Sequence, residues 1–257
     1  MRAMLLHHLH RGEGPPVLLL HGLFGSAANL GMVARGLADS FSVYSLDLPN
    51  HGQSPRRQAM GYPDMAADVA AFIDHHQLAP CHLLGHSMGG KVAMQVALDY
   101  PDRVARLVVA DIAPVQYPAH HDHVLAGLAA VASAAPTDRK GAEAVLADHV
   151  REPGVRAFLL KSWQRDAAGH WRWLIDLDNI NANYTALGEP NRASNGPFTG
   201  DTLFIGGSES NYIQAAHRDA ILSLFPAAQL KVIEGTGHWL HAEKTQAFNR
   251  LVLRFLQ

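Results

Sequence analysis

The chain has 257 residues, 48% of them hydrophobic and 17% charged, an ordinary composition for a globular protein long enough to bury a large core. Its formal net charge of −2 gives no broad basic field, so nucleic acid is not an expected partner. The single cysteine, Cys81, excludes a disulfide within the chain; inside the apolar run 81–84 it reads as a buried core residue rather than a reactive thiol.

Near the N-terminus, Leu5-Leu6 is followed by His7, His8, His10 and Arg11, so no signal-peptide core forms there. No stretch approaches the ~18–20 apolar residues that span a bilayer. A cytoplasmic protein without a membrane span is the expectation. Strands are predicted at 4–8, 17–20, 43–46, 82–84, 107–110, 203–205 and 230–233. Several are nearly continuous apolar runs, as strands covered on both faces should be. Helical patterns fall at 27–38, 65–76, 88–98, 215–224 and 245–255, with Pro101 and Pro226 placed to stop two of them. This alternation predicts an α/β fold: a mostly parallel central sheet flanked by helices on both faces.

Between Pro114 and Pro197 the rhythm breaks. No central strand is expected there, but helix-like stretches occur at 124–133, 141–149 and 155–161, with Trp163, Trp171 and Trp173 nearby. A structureless loop of that length is unusual in a compact domain. The segment 118–195 is therefore read as an inserted helical cap on a core made of 1–117 and 196–257.

Gly85-His86-Ser87-Met88-Gly89 follows one apolar strand and opens a helical pattern. That strand–turn–helix setting of G-x-S-x-G is a nucleophile elbow, which lifts the Ser87 hydroxyl out at the sheet edge. A serine hydroxyl needs a base to take its proton. In this arrangement the acid and then the histidine follow the serine along the chain. His238, in Gly235-Thr236-Gly237-His238-Trp239 after the last strand, is the candidate base; His241, three residues on, is its rival.

Two preorganised donors should hold the developing oxyanion. The backbone N–H of Met88, just after the nucleophile, is one candidate. The other is the N–H of Leu23 in His21-Gly22-Leu23-Phe24-Gly25, with Phe24 beside it. Trp239, Phe24 and the cap residues Trp163 and Trp173 are the candidate apolar contacts to substrate.

The acid is harder to place. The loop after 203–205 reads Gly206-Gly207-Ser208-Glu209-Ser210-Asn211, with Ser210 where an aspartate is expected and Glu209 one residue off. Asp111, ending the strand 107–110, faces the same edge and is the stronger candidate. Asp47 and His51, in Asp47-Leu48-Pro49-Asn50-His51-Gly52, read as a loop-bracing turn. His7-His8-His10 and His120-His121-His123 lack the spacing of a metal site, so no metal is expected.

Together, HGLFGS (21–26), DLPNHGQSP (47–55), LLGHSMGGKVAM (83–94), DIAPVQY (111–117) and GTGHWLHAEK (235–244) resemble the YbfF-like esterases, cofactor-free α/β-hydrolases related to the abhydrolase-domain proteins. The resemblance covers almost the whole chain and is weakest between about 120 and 195. It implies a serine esterase or thioesterase acting on acyl esters, acyl-CoA among the candidates, with no cofactor. It also implies an acid at Asp111 and a serine at Ser210 that joins the hydrogen-bond network. Family membership leaves the substrate open. C–C bond hydrolysis, cofactor-free haloperoxidase chemistry and a non-catalytic binding role remain as alternatives on the same fold. The expected partner is a small acyl ester or thioester, and the expected assembly a monomer or homodimer. Dehalogenation and epoxide hydrolysis are disfavoured, because both call for an aspartate where Ser87 stands.

Overall fold

In the computed structural model, which describes residues 5–257, the first strand is β1 (His8–Arg11), antiparallel to β3 (Ser42–Leu46). It lies later than the predicted strand at 4–8, whose Met4 is outside the described residues. Leu5 and Leu6, which suggested the earlier position, lie ahead of the strand, and Leu6 is buried in the core. Pairing is set instead by backbone contacts that place His8 opposite Leu46.

The remaining sheet strands fall where the apolar runs predict them. They are β2 (Pro16–Leu20), β4 (Cys81–His86), β5 (Val104–Ala110), β8 (Thr202–Gly207) and β9 (Ala228–Ile233). The order is β1-β3-β2-β4-β5-β8-β9, and every pairing except β1 with β3 is parallel. Val17 to Leu20 are all buried because helices cover both sides, which is why the strand carries no polar alternation.

On one face lie α2 (Tyr62–His75) and α3 (Met88–Asp99), whose buried stripes join the larger apolar cluster. On the other, α1 (Gly31–Leu37) and α11 (Thr245–Leu256) cover the second cluster through Val33, Leu37, Phe248 and Val252. Among the described residues, no helix is long and apolar enough to cross a membrane.

Between β5 and β8 the chain leaves the sheet. It forms α4 (Asp122–Ala134), α5 (Arg139–Ala147), α6 (Pro153–Leu159), a hairpin of β6 (Trp163–Arg165) and β7 (Trp171–Trp173), α7 (Leu177–Ala182) and α8 (Tyr184–Leu187). The hairpin and the last two helices were not legible in the sequence, since each is too short to show a period. After β8 come α9 (Arg218–Leu224) and, beyond β9, α10 (Leu240–Glu243). The carboxyl ends of β2, β4, β5, β8 and β9 therefore share one edge, where open α/β sheets gather their functional loops.

Candidate active site

Ser87 joins β4 to α3 with φ 55° and ψ −122°, a left-handed conformation that costs a non-glycine residue of order 1–3 kcal/mol. The strain is held by its surroundings. The Ser87 N–H donates to the Ala110 carbonyl at 3.0 Å, and the Ser87 carbonyl accepts from Gly90 and Lys91 at 2.8 and 3.1 Å. The flanking glycines are required by space: a Cβ on Gly85 would strike the Gly89 carbonyl, and one on Gly89 the Leu20 carbonyl.

Three further loops converge on Ser87. His238 Nε2 lies 3.0 Å from Ser87 Oγ, and its Nδ1 2.7 Å from Asp111 Oδ2. Asp111 is itself left-handed, at φ 51°, and 1% exposed. Its Oδ1 accepts from the Gly207 N–H at 3.2 Å, and its Oδ2 also accepts from the Ser210 hydroxyl. The structure thus brings Ser87, His238, Asp111 and Ser210 into one hydrogen-bonded chain. Glu209 sits on the exposed side of its loop, tied through its N–H to Thr236. His241 is buried at the start of α10, its ring 4.3 Å from that of His86, and burial lowers its pKa to about 4.

The loop after β2 is clamped by two neutral histidines. His51 Nε2 accepts the Phe24 N–H at 3.2 Å while its Nδ1 bonds the Pro49 carbonyl at 2.9 Å. His21 Nε2 accepts the Leu48 N–H at 3.0 Å, and its Nδ1 bonds the Gly22 carbonyl at 2.8 Å. Backbone N–H groups can only donate, so both rings must be neutral with the proton on Nδ1. Burial agrees, lowering the pKa of His21 and pushing that of His51 down to about 3. Asp47 braces the same turn by accepting from the Ala27 and Gln53 N–H groups at 2.7 and 2.9 Å. The Phe24 N–H is occupied by His51 and the Gly25 N–H by the Gly22 carbonyl at 3.0 Å. Leu23, which precedes both, lines the same cavity as Ser87.

Two cavities meet at Ser87. The first, of about 190 Å³, is lined by Leu23, Met88, Lys91, Tyr117, Tyr184 and Tyr212 among others. The second, of about 80 Å³, runs past Phe24, Val155, Phe158, Leu159, His238 and Trp239. Phe24 and Trp239 are thus placed to touch a ligand. Trp163 and Trp173 are not: they point into the interior of the 118–195 segment, a correction to the reading from sequence. Trp173 is buried with its indole N–H donating to the Leu128 carbonyl at 3.0 Å, and the Trp163 ring packs edge-on against it at 4.9 Å. These large rings belong to the buried apolar core around the hairpin of that segment.

Residues that sequence reasoning missed surround the base. His86 donates from Nε2 to the His238 carbonyl at 2.8 Å, and burial holds its pKa well below the ordinary value. The Tyr212 ring stacks on His238 at 4.0 Å. His120 bonds the Tyr212 hydroxyl at 2.7 Å, and His121 bonds that of Tyr184 at 2.7 Å. His120 and His121 of the histidine run therefore help build the cavity wall. Among the described residues no group of His, Cys, Asp or Glu is arranged to hold a metal.

Residues 15–245 match the model of the alpha/beta hydrolase fold. The chain belongs to that family. It is 38% identical over 257 residues to Esterase YbfF of Escherichia coli (strain K12), covering 100% of this chain and 98% of that protein. It is 36% identical over 252 residues to the sn-1-specific diacylglycerol lipase ABHD11 of Mus musculus, covering 94% and 81%. A solved structure described as a marine microorganism esterase superposes with a TM-score of 0.94 at 37% identity, covering 98% of this chain and 99% of its own. With such relatives along its whole length, this α/β-hydrolase is a carboxylic-ester hydrolase.

Proposed function

We propose that the protein hydrolyses small acyl esters or thioesters through a covalent Ser87 acyl-enzyme, without metal or cofactor. The observation that carries this reading is the Ser87–His238–Asp111 chain, with separations of 3.0 and 2.7 Å, built on a strained elbow. His238 Nε2 takes the Ser87 proton as Oγ attacks the carbonyl. Asp111 keeps the imidazole proton on Nδ1 and stabilises the imidazolium that forms. The Leu23 and Met88 N–H groups donate to the oxyanion; the engagement of Phe24 with His51 leaves Leu23 as the donor from its loop. His238 then protonates the leaving group, and water repeats the sequence on the acyl-enzyme.

The leaving group must depart within reach of His238. That places it in the second cavity, which His238 and Trp239 line, and the acyl part in the first. A cavity of about 190 Å³ is smaller than the roughly 300–1,000 Å³ of pockets for drug-sized ligands and favours acyl groups of up to medium length over long fatty chains. Residues 118–195 act as the cap of a core made of 1–117 and 196–257: Val155, Phe158 and Leu159 roof one cavity, Tyr184 and Leu187 the other. A fluorophosphonate should label one serine and p-nitrophenyl acetate should give a burst of nitrophenol. Labelling that persists in Ser87→Ala would overturn the assignment.

A further inference from the structure

Lys91 stands one helical turn after Ser87 on α3, bonded to it through the backbone at 3.1 Å. Its side chain therefore shares the nucleophile's face of the helix. The residue is 1% exposed, yet it contributes to the wall of the larger cavity at Ser87. An ammonium has three N–H donors. Two are used, by the Val115 and Glu189 carbonyls, and the charge lies 5.3 and 5.1 Å from the centres of the Tyr62 and Tyr117 rings. Among the described residues no carboxylate forms an ion pair with it; the Glu189 side chain is exposed.

A buried charge without a counter-ion is costly. The two carbonyls tie Val115, just before residues 118–195, to Glu189 in the last part of that segment, a task a neutral donor could perform. That clamp explains two donors but not why a cation is retained at a cavity wall. Desolvation pushes the Lys91 pKa down to about 7 although the Glu189 charge opposes it from a distance, and an anion in direct contact would favour the charged form further.

We propose that Lys91 is a specificity residue that binds a carboxylate at the far end of the acyl group, so that the preferred substrates are hemiesters or monothioesters of dicarboxylic acids. This rests on the esterase reading above, and on the acyl part lying in the Lys91 cavity, away from His238. The carboxylate would meet the third N–H of the ammonium alone, since the Tyr117 and Tyr212 hydroxyl protons are engaged by the Tyr212 carbonyl and His120. A charge-assisted hydrogen bond of this kind is strong enough to give about 10- to 100-fold discrimination over a neutral group of the same shape.

The test compares p-nitrophenyl hemiesters of adipate and suberate with the p-nitrophenyl esters of the matching ω-carboxamides. The wild-type protein should favour the carboxylate in kcat/KM by at least about tenfold at one chain length. In Lys91→Met that ratio should fall to about 1 or below, whatever the absolute rates, and Lys91→Arg should restore part of it. Fluorophosphonate labelling of each variant shows whether its site is folded. Free adipate and suberate should also bind the wild-type protein by calorimetry, and their diamides should not. This measurement needs neither a variant nor turnover. The proposal is overturned by a wild-type ratio near 1 together with no dicarboxylate binding, or by a ratio unchanged in a labelled Lys91→Met protein. If neither ester is cleaved although free dicarboxylates bind in a Lys91-dependent way, the esterase reading fails and the anion site stands.

Discussion

Replacing Asp111 by asparagine tests the roles assigned to the acid and the base. Asp111 Oδ1 accepts the Gly207 N–H at 3.2 Å, and Oδ2 receives both His238 Nδ1, at 2.7 Å, and the Ser210 hydroxyl. An asparagine must keep its carbonyl oxygen toward Gly207, since an NH₂ there would face another donor. Its NH₂ is then forced toward His238, where it donates to Nδ1 and drives the imidazole proton to Nε2. In that tautomer His238 cannot accept the Ser87 proton. The expected loss in kcat is up to about 10⁴-fold, with the fold kept because the replacement is isosteric. Ser210→Ala removes one hydrogen bond but neither charge nor tautomer control, so the loss should be roughly tenfold, near the ~1.4 kcal/mol worth of one such bond. Glu209→Gln, on the exposed side of the loop, should be nearly silent. Stopped-flow release of p-nitrophenol separates acylation from deacylation, and far-UV circular dichroism checks folding. Should Glu209→Gln be crippling while folded Asp111→Asn keeps most of its activity, the acid lies on the later loop and the tautomer reasoning fails.

The neutral clamps make stability acid-sensitive. The folded-state pKa of His51, about 3, lies below the unfolded value near 6.5, so the unfolded chain binds more protons in that window. The contribution is present above pH 6.5 and lost as pH falls toward 3; between pH 8 and 5 it amounts to about 2 kcal/mol. Urea unfolding at the two pH values should show His51→Gln losing about that much less than the wild-type protein, and equal losses would contradict a neutral His51. Trp173→Ala should cost about 3–5 kcal/mol, read as a lower melting temperature, because it empties the interior of the 118–195 segment and frees the Leu128 carbonyl. Selectivity across an acyl series should stay flat among molecules that remain folded; a specific shift in chain-length preference would return Trp173 to the cavity wall.

What the sequence determined by itself is local. A strand of buried aliphatics, two glycines with no room for a Cβ and a helix opening at Met88 leave Ser87 only the elbow conformation. The loop 206–211 has no aspartate, so an acid had to come from elsewhere, and Asp111 ends a neighbouring strand. These inferences hold because backbone sterics and strand order act over a few residues. Tertiary structure decided whatever depends on partners far along the chain. Trp163 and Trp173 read as substrate contacts until the hairpin turned them inward. Lys91 reads as one polar residue in an apolar helix until Glu189, 98 residues away, and the wall of the cavity bury its charge. Likewise, His51 reads as part of a loop-bracing turn, but only the Phe24 N–H, 27 residues away, requires it to be neutral. Which atom a side chain meets, and with what charge, is set by the packing of distant segments, and no local pattern of residue types encodes that.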